Sequence, residues 1–126
     1  MTKSQRWLRI NGLTIGGDAE TEINEQVISE NAIGPITIPS ESTNFRLFEN
    51  VEIWRVKAIA IVADQDCTVS TSGDETINLK ANSALVWVYG DPDETRFFNN
   101  NFTYLQVTCA LETVLKFGHV DYAGDD

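Results

Sequence analysis

The sequence predicts an all-β protein, an antiparallel β-sandwich or jelly-roll-like fold, and three observations carry that expectation. Short runs alternate apolar and polar residues with period two, as in Cys67-Thr68-Val69-Ser70-Thr71. Clusters of Gly, Pro, Asn and Asp separate about eight to eleven such runs, the spacing of strands and turns in one packed sandwich. The most apolar run, VEIWRVKAIAIV at 51–62, is rich in β-branched residues, as a central strand covered on both faces requires.

Taken in order, Trp7–Ile10 and Leu13–Ile15 flank Asn11-Gly12, whose readiness to take positive φ makes a tight hairpin. Thr21–Ser29 fits a helical face about as well as an irregular strand, because Ile23, Val27 and Ile28 satisfy both periods; strand is preferred. Gly34-Pro35 and Pro39-Ser40 bracket Ile36-Thr37-Ile38, which neighbouring prolines restrict to a short edge piece. Phe45, Leu47 and Phe48 form another short strand. After the central run, residues 66–80 read as a hairpin about Ser72-Gly73-Asp74, with Gly73 expected to supply the positive φ. Ala84–Tyr89 is a strand that Gly90-Asp91-Pro92-Asp93-Glu94 ends, and Tyr104–Cys109 and Thr113–Val120 complete the set. The final AGDD reads as a loose tail.

At 126 residues the chain fits a single domain, 1–126, able to bury roughly two-thirds of its unfolded surface without disulfide staples. A formal charge of −10 opposes a nucleic-acid backbone or an anionic membrane, so neither is expected as a partner. Cys67 and Cys109 sit in alternating apolar runs and read as reduced, although sequence alone leaves one disulfide open. MTKSQRWLRINGLTIGG lacks an apolar run of signal-peptide length, and no segment approaches a membrane span, so a protein made and kept soluble is expected. Without a secretory signal, the Asn101-Phe102-Thr103 sequon reads as chance.

No catalytic, cofactor-binding or metal-ligating set is expected. DQDCTVSTSGDE, 64–75, begins like an EF-hand loop, but its sixth position is Val69 where a sharp turn needs Gly. Asp64, Asp66, Asp74 and Glu75 remain as the residues that would make a weak surface calcium site. The lone histidine, His119, lies in a strand and reads as an ordinary strand residue; a cleft joining it to two carboxylates would favour an enzyme. Asp91, Asp93 and Glu94 beside Trp87 and Tyr89 offer the carboxylates of a glycosidase, but such residues in a turn of an acidic chain are expected as solvated loop. Two consecutive phenylalanines in Phe97-Phe98-Asn99-Asn100-Asn101-Phe102 cannot both face inward from an extended loop, so one becomes a contact candidate.

Over about residues 51–120 the series Val56–Ile61, Asp64–Val69, Asp74–Ala81, Leu85–Trp87, Asn101–Thr103 and Leu105–Thr108 resembles a group of small tailed-bacteriophage virion proteins. The chain departs from their pattern at Cys67, at Asn100 and in the short Ser70–Asp74 tip, and residues 1–50 lie outside the likeness. The resemblance implies a non-enzymatic capsid decoration or cement protein on the virion surface, assembled in the host cytoplasm. It implies the major capsid protein as partner and a homo-oligomer, with a trimer favoured by closed symmetry. The N-terminal hairpin and arm, about 1–50, are then expected to take part in assembly contacts. Trp7, Phe45, Phe48, Phe97, Phe98 and Phe102 are the interface candidates. The alternative is a carbohydrate- or receptor-binding β-module of a phage neck, tail or fibre, which an exposed row of Trp87 and Tyr89 would favour.

Overall fold

The computed structural model describes residues 6–10, 13–16, 19–20 and 29–121, with side chains at Ile15 and from Asn31 to Asp121. Eleven strands lie within these residues: β1 Arg6–Ile10, β2 Leu13–Gly16, β3 Ala19–Glu20, β4 Ser29–Ile38, β5 Ser42–Val51, β6 Val56–Ala63, β7 Cys67–Thr71, β8 Thr76–Leu79, β9 Leu85–Val88, β10 Phe102–Cys109 and β11 Thr113–Asp121. The only helical pieces among them are two 3₁₀ turns, Ile53–Arg55 and Asp93–Thr95. The expected all-β class is the observed one. The Asn11-Gly12 turn, the ambiguous segment up to Ile28, the terminal AGDD and the Trp7 side chain fall outside the description.

Two four-stranded antiparallel sheets, β5-β10-β7-β8 and β4-β11-β6-β9, enclose the main core. Their pairing has one simple rule. From β4 onward the chain is a single long hairpin with its tip between β7 and β8. Rolling it up places the nested pairs β4·β11 and β6·β9 in one sheet and β5·β10 and β7·β8 in the other. That is the winding of a jelly roll. Ile59, Ile61, Leu105, Val107, Leu115 and Phe117 fill the space between the sheets with no exposed surface.

A third layer was not foreseen. β1 pairs antiparallel with β2 as the hairpin signal requires, and parallel with β3, forming a small β2-β1-β3 sheet. Ile15 of β2 is fully buried in a second apolar cluster with Ala58, Ala60, Val88 and Val120, on the outer face of the β4-β11-β6-β9 sheet. β6 is therefore apolar on both sides because each side has a layer against it.

Three boundaries differ from the sequence reading. The run 51–62 is not one strand: Val51 ends β5 and a 3₁₀ turn at Ile53–Arg55 precedes β6. The polar residues of that turn, Glu52 and Arg55, interrupt the apolar pattern where the chain crosses between sheets, and they pair at 3.9 Å. β4 extends over ten residues rather than three, although it is an edge strand as expected. It carries Pro35 because an extra residue bulges there, Leu115 facing Ile36 and Phe117 facing Ile33. Gly34 is fixed by this bulge, since its φ is +113° and a Cβ would meet the Leu115 carbonyl oxygen at 2.5 Å.

β5 likewise runs from 42 to 51 instead of 45 to 48, with two register shifts against β10. At the β7–β8 tip Asp74, not Gly73, takes positive φ. Gly73 serves closeness instead, because a Cβ would lie 2.7 Å from the Asn101 carbonyl oxygen. Edges are thus short (β8, β9) or bulged (β4, β5), both of which discourage strand addition.

Candidate functional site

The four acidic residues of the 64–75 stretch do not converge. β7 separates Asp64 and Asp66 from Asp74 and Glu75 by about 17 Å of extended chain. Each end uses carboxylates to satisfy backbone donors. Asp64 accepts from Val114 N–H at 2.8 Å and Asp66 from Ala81 N–H at 2.8 Å, fixing loops between strands. Glu75 accepts from Asn99 and Asn100 N–H at 2.9 Å, and Asn100 Nδ2 donates to the Gly73 carbonyl oxygen. No group of three His, Cys, Asp or Glu side chains placed to hold a metal occurs among the described residues.

The Glu75 clamp also explains the phenylalanines. It folds 96–101 back on the tip, so the loop is not extended and both rings turn toward the core. Phe98 is fully buried, and Phe97 packs against it edge-on at 5.2 Å. Phe102 is buried as well, 5.3 Å from Phe98 and 6.2 Å from Phe117. Phe98 and Phe102 are therefore core residues and leave the set of surface contacts. Phe45 is half-buried against the same core.

At the end of this row of rings, 6.1 Å from Phe117, stands His119. Its side chain is 1% exposed and clasped between Asp121 of its own strand, Nδ1 to Oδ1 2.9 Å, and Glu49 of β5, Nε2 to Oε1 3.1 Å. Two carboxylates do meet the histidine, which the local sequence gave no reason to expect. Burial pulls its pKa down, but the hydrogen bonds to Asp121 and Glu49 outweigh it and hold it up at about 9. At neutral pH it is an imidazolium with both ring N–H groups donated. A general base needs a free lone pair and a reachable proton, and this group has neither. The arrangement ties β5 of one sheet to β11 of the other as a buried ionic clasp.

The carboxylates considered for glycoside chemistry are used otherwise. Asp91 accepts from Val88 N–H at 3.0 Å and locks the turn after β9, while Asp93 and Glu94 are exposed in the 3₁₀ turn. Trp87 does not form an exposed row with Tyr89. It is buried, its Nε1–H reaching the Pro92 carbonyl oxygen at 3.3 Å and Arg96 lying over its ring at 5.0 Å.

Among the described residues the large apolar side chains left exposed are Leu111, in the turn before β11, and three aromatics that fall in two places. On the outer face of the β5-β10-β7-β8 sheet Phe48 is 74% exposed, set edge-on to Tyr104 at 6.4 Å, with Arg46 at 3.9 Å over the Tyr104 ring. The rest of this face within the strands is Asn44, Asn50, Thr68, Ser70, Thr76, Asn78, Gln106 and Thr108, polar but uncharged, and no described element lies over it. At one end of the sandwich, where β5 hands over to β6 and β9 ends, Trp54 is 53% and Tyr89 57% exposed. Each has a cation at its ring: Arg55 at 5.7 Å from Trp54 and Lys57 Nζ at 3.6 Å from Tyr89.

Of these residues, Phe48 and Tyr89 were singled out from sequence, whereas Trp54, Glu49 and Asp121 were not. The Glu52 and Arg55 pair around Trp54 was the available signal. Glu49 and Asp121 had none, being partners of a residue on another strand. Compared with family models, with curated proteins and with solved structures, the chain matches none.

Proposed function

We propose that this chain is a non-enzymatic structural protein of a tailed-phage particle, a decoration or cement protein that docks on the major capsid protein at the outer surface of the shell. The observation that carries the proposal is the open sheet face bearing Phe48, Tyr104 and Arg46. A large exposed ring, braced by a neighbouring aromatic and rimmed by polar groups that include Arg46, has the make-up of a protein contact. The resemblance over residues 51–120 supports the phage assignment, and the jelly roll is an architecture that capsid proteins share with lectins. Binding to the assembled shell but not to dispersed subunits stabilises the shell by mass action, without chemistry. Closed three-fold symmetry is the arrangement proposed for the copies around a capsid axis. Particles with and without the protein are to be compared in thermal and osmotic rupture. Greater resistance when it is bound, lost with Phe48→Asp, supports the proposal; equal resistance counts against it.

A second reading, a carbohydrate- or receptor-binding module of the neck, tail or fibre, is favoured by the exposed Trp54 and Tyr89. Quenching of Trp54 fluorescence by a glycan, removed in Trp54→Ala, would select it.

A further inference from the structure

Cys67 and Cys109 are far apart in sequence, yet the roll-up sets them directly opposite each other. Cys67 opens β7, Cys109 closes β10, and the two are register partners at the end of the β7·β10 ladder. Both are free thiols in the same core cluster, so their side chains share one face of the sheet. They also line one open groove of about 390 Å³ with Asp66, Leu79, Lys80 and Thr108, which gives a small reagent a way in.

We infer that Cys67 and Cys109 form a vicinal dithiol site that a low-molecular-weight disulfide oxidises to an intrachain cross-strand disulfide. Directly opposed residues of an antiparallel pair hold their Cβ atoms about 4.5–5.5 Å apart, and a disulfide needs them at about 3.5–4.5 Å. The required approach is about 1 Å, at the end of a ladder where the strands are least constrained. Cys109 Sγ–H donates only a 3.5 Å contact to the Pro39 carbonyl oxygen, which is easily given up.

The step balances as thiol–disulfide exchange. One protein thiolate attacks oxidised glutathione, forming a mixed disulfide and expelling one glutathione thiolate. The second protein thiolate then attacks the protein sulfur of that mixed disulfide and expels the other. Two S–H bonds are lost, one S–S bond forms, and the two electrons reduce glutathione disulfide to two thiols. Burial, with the neighbouring Cys109 second, pushes the Cys67 thiol up to about 11, so closure is slow at neutral pH and accelerates as pH rises toward that value. The site thus stays open in reducing surroundings and closes into a staple between the middle strands of one sheet in oxidising ones.

The test treats the folded full-length chain with oxidised glutathione at several pH values, then denatures it, alkylates it and weighs it. The expected result is loss of both alkylatable thiols, a mass lower by about 2 Da, a Cys67–Cys109 linked peptide, and a melting temperature raised by on the order of 10 °C and restored by dithiothreitol. Cys67→Ser and Cys109→Ser, each first shown to melt cooperatively, are expected to stop at a single glutathione adduct. Two thiols still alkylatable at high pH, or glutathione adducts and intermolecular dimers without the linked peptide, would overturn the inference.

Discussion

On the outer face of the β4-β11-β6-β9 sheet, Ala58, Ala60 and Val120 lie under Ile15 of β2; on the outer face of the β5-β10-β7-β8 sheet, Thr68, Ser70, Gln106 and Phe48 have no described element above them. The inner faces of the two sheets do the same work, so the difference lies outside. It is written in the strands. β6 reads VKAIAIVA, apolar almost throughout, while β7 and β10 read CTVST and FTYLQVTC, with a polar residue at most alternate places. A continuous apolar strand announces two covers, and an alternating one announces a single cover and a free side. Among the described residues the N-terminal hairpin covers one sheet, and the other sheet carries no second layer.

Substituting the same residue into both outer faces breaks the comparison most sharply. Ala60→Lys forces a charge under the Ile15 layer and is expected to cost about 3–5 kcal/mol in chemical denaturation, whereas Ser70→Lys on the open face is expected to stay within about 0.5 kcal/mol. Next in size, Ile15→Ala removes the side chain that seals the covered face. A loss of about 2–4 kcal/mol is expected in the same measurement, and a negligible loss would mean that the hairpin is not packed there.

The clasp that joins the two sheets gives a smaller, pH-dependent effect. Because the folded His119 pKa of about 9 lies above the unfolded value of 6.5, its contribution is fully present below pH 6.5 and is lost as pH rises through about 9. Stability followed by denaturation is expected to fall over that window, with a slope of up to about 1.4 kcal/mol per pH unit. Glu49→Gln should make that fall shallower and lower stability at pH 6 by about 1–2 kcal/mol. Phe48→Ser is expected to have the smallest effect, within about 0.5 kcal/mol in stability, since its ring is mostly in water already.

The strands were legible because period and turn chemistry are local. The 67–79 hairpin, β9, β10 and β11 lie within a few residues of where alternation and the Gly, Pro and Asn clusters put them. What sequence concealed was set by distant partners. β4 and β5 are longer than their apolar cores because bulges at Gly34-Pro35 and in β5 let polar and proline-bearing chain stay paired to β11 and β10. Phe98 and Phe102 read as contacts until the Glu75 carboxylate, 24 residues from Asn99, is seen to fold their loop inward. His119 read as an unremarkable strand residue because Glu49 is 70 residues away. Trp54 was hidden in the most apolar run, where the turn between sheets brings it out to solvent.

Hydroxyl-radical labelling of the isolated folded chain, read residue by residue by mass spectrometry, tests the contrast between covered and open faces most directly. The account predicts heavy oxidation at Phe48 and clear labelling at Tyr104, with Ile15 and Val120 protected until the protein unfolds. Labelling of Ile15 and Val120 as readily as Phe48, or protection of Phe48 in the monomer, would contradict it.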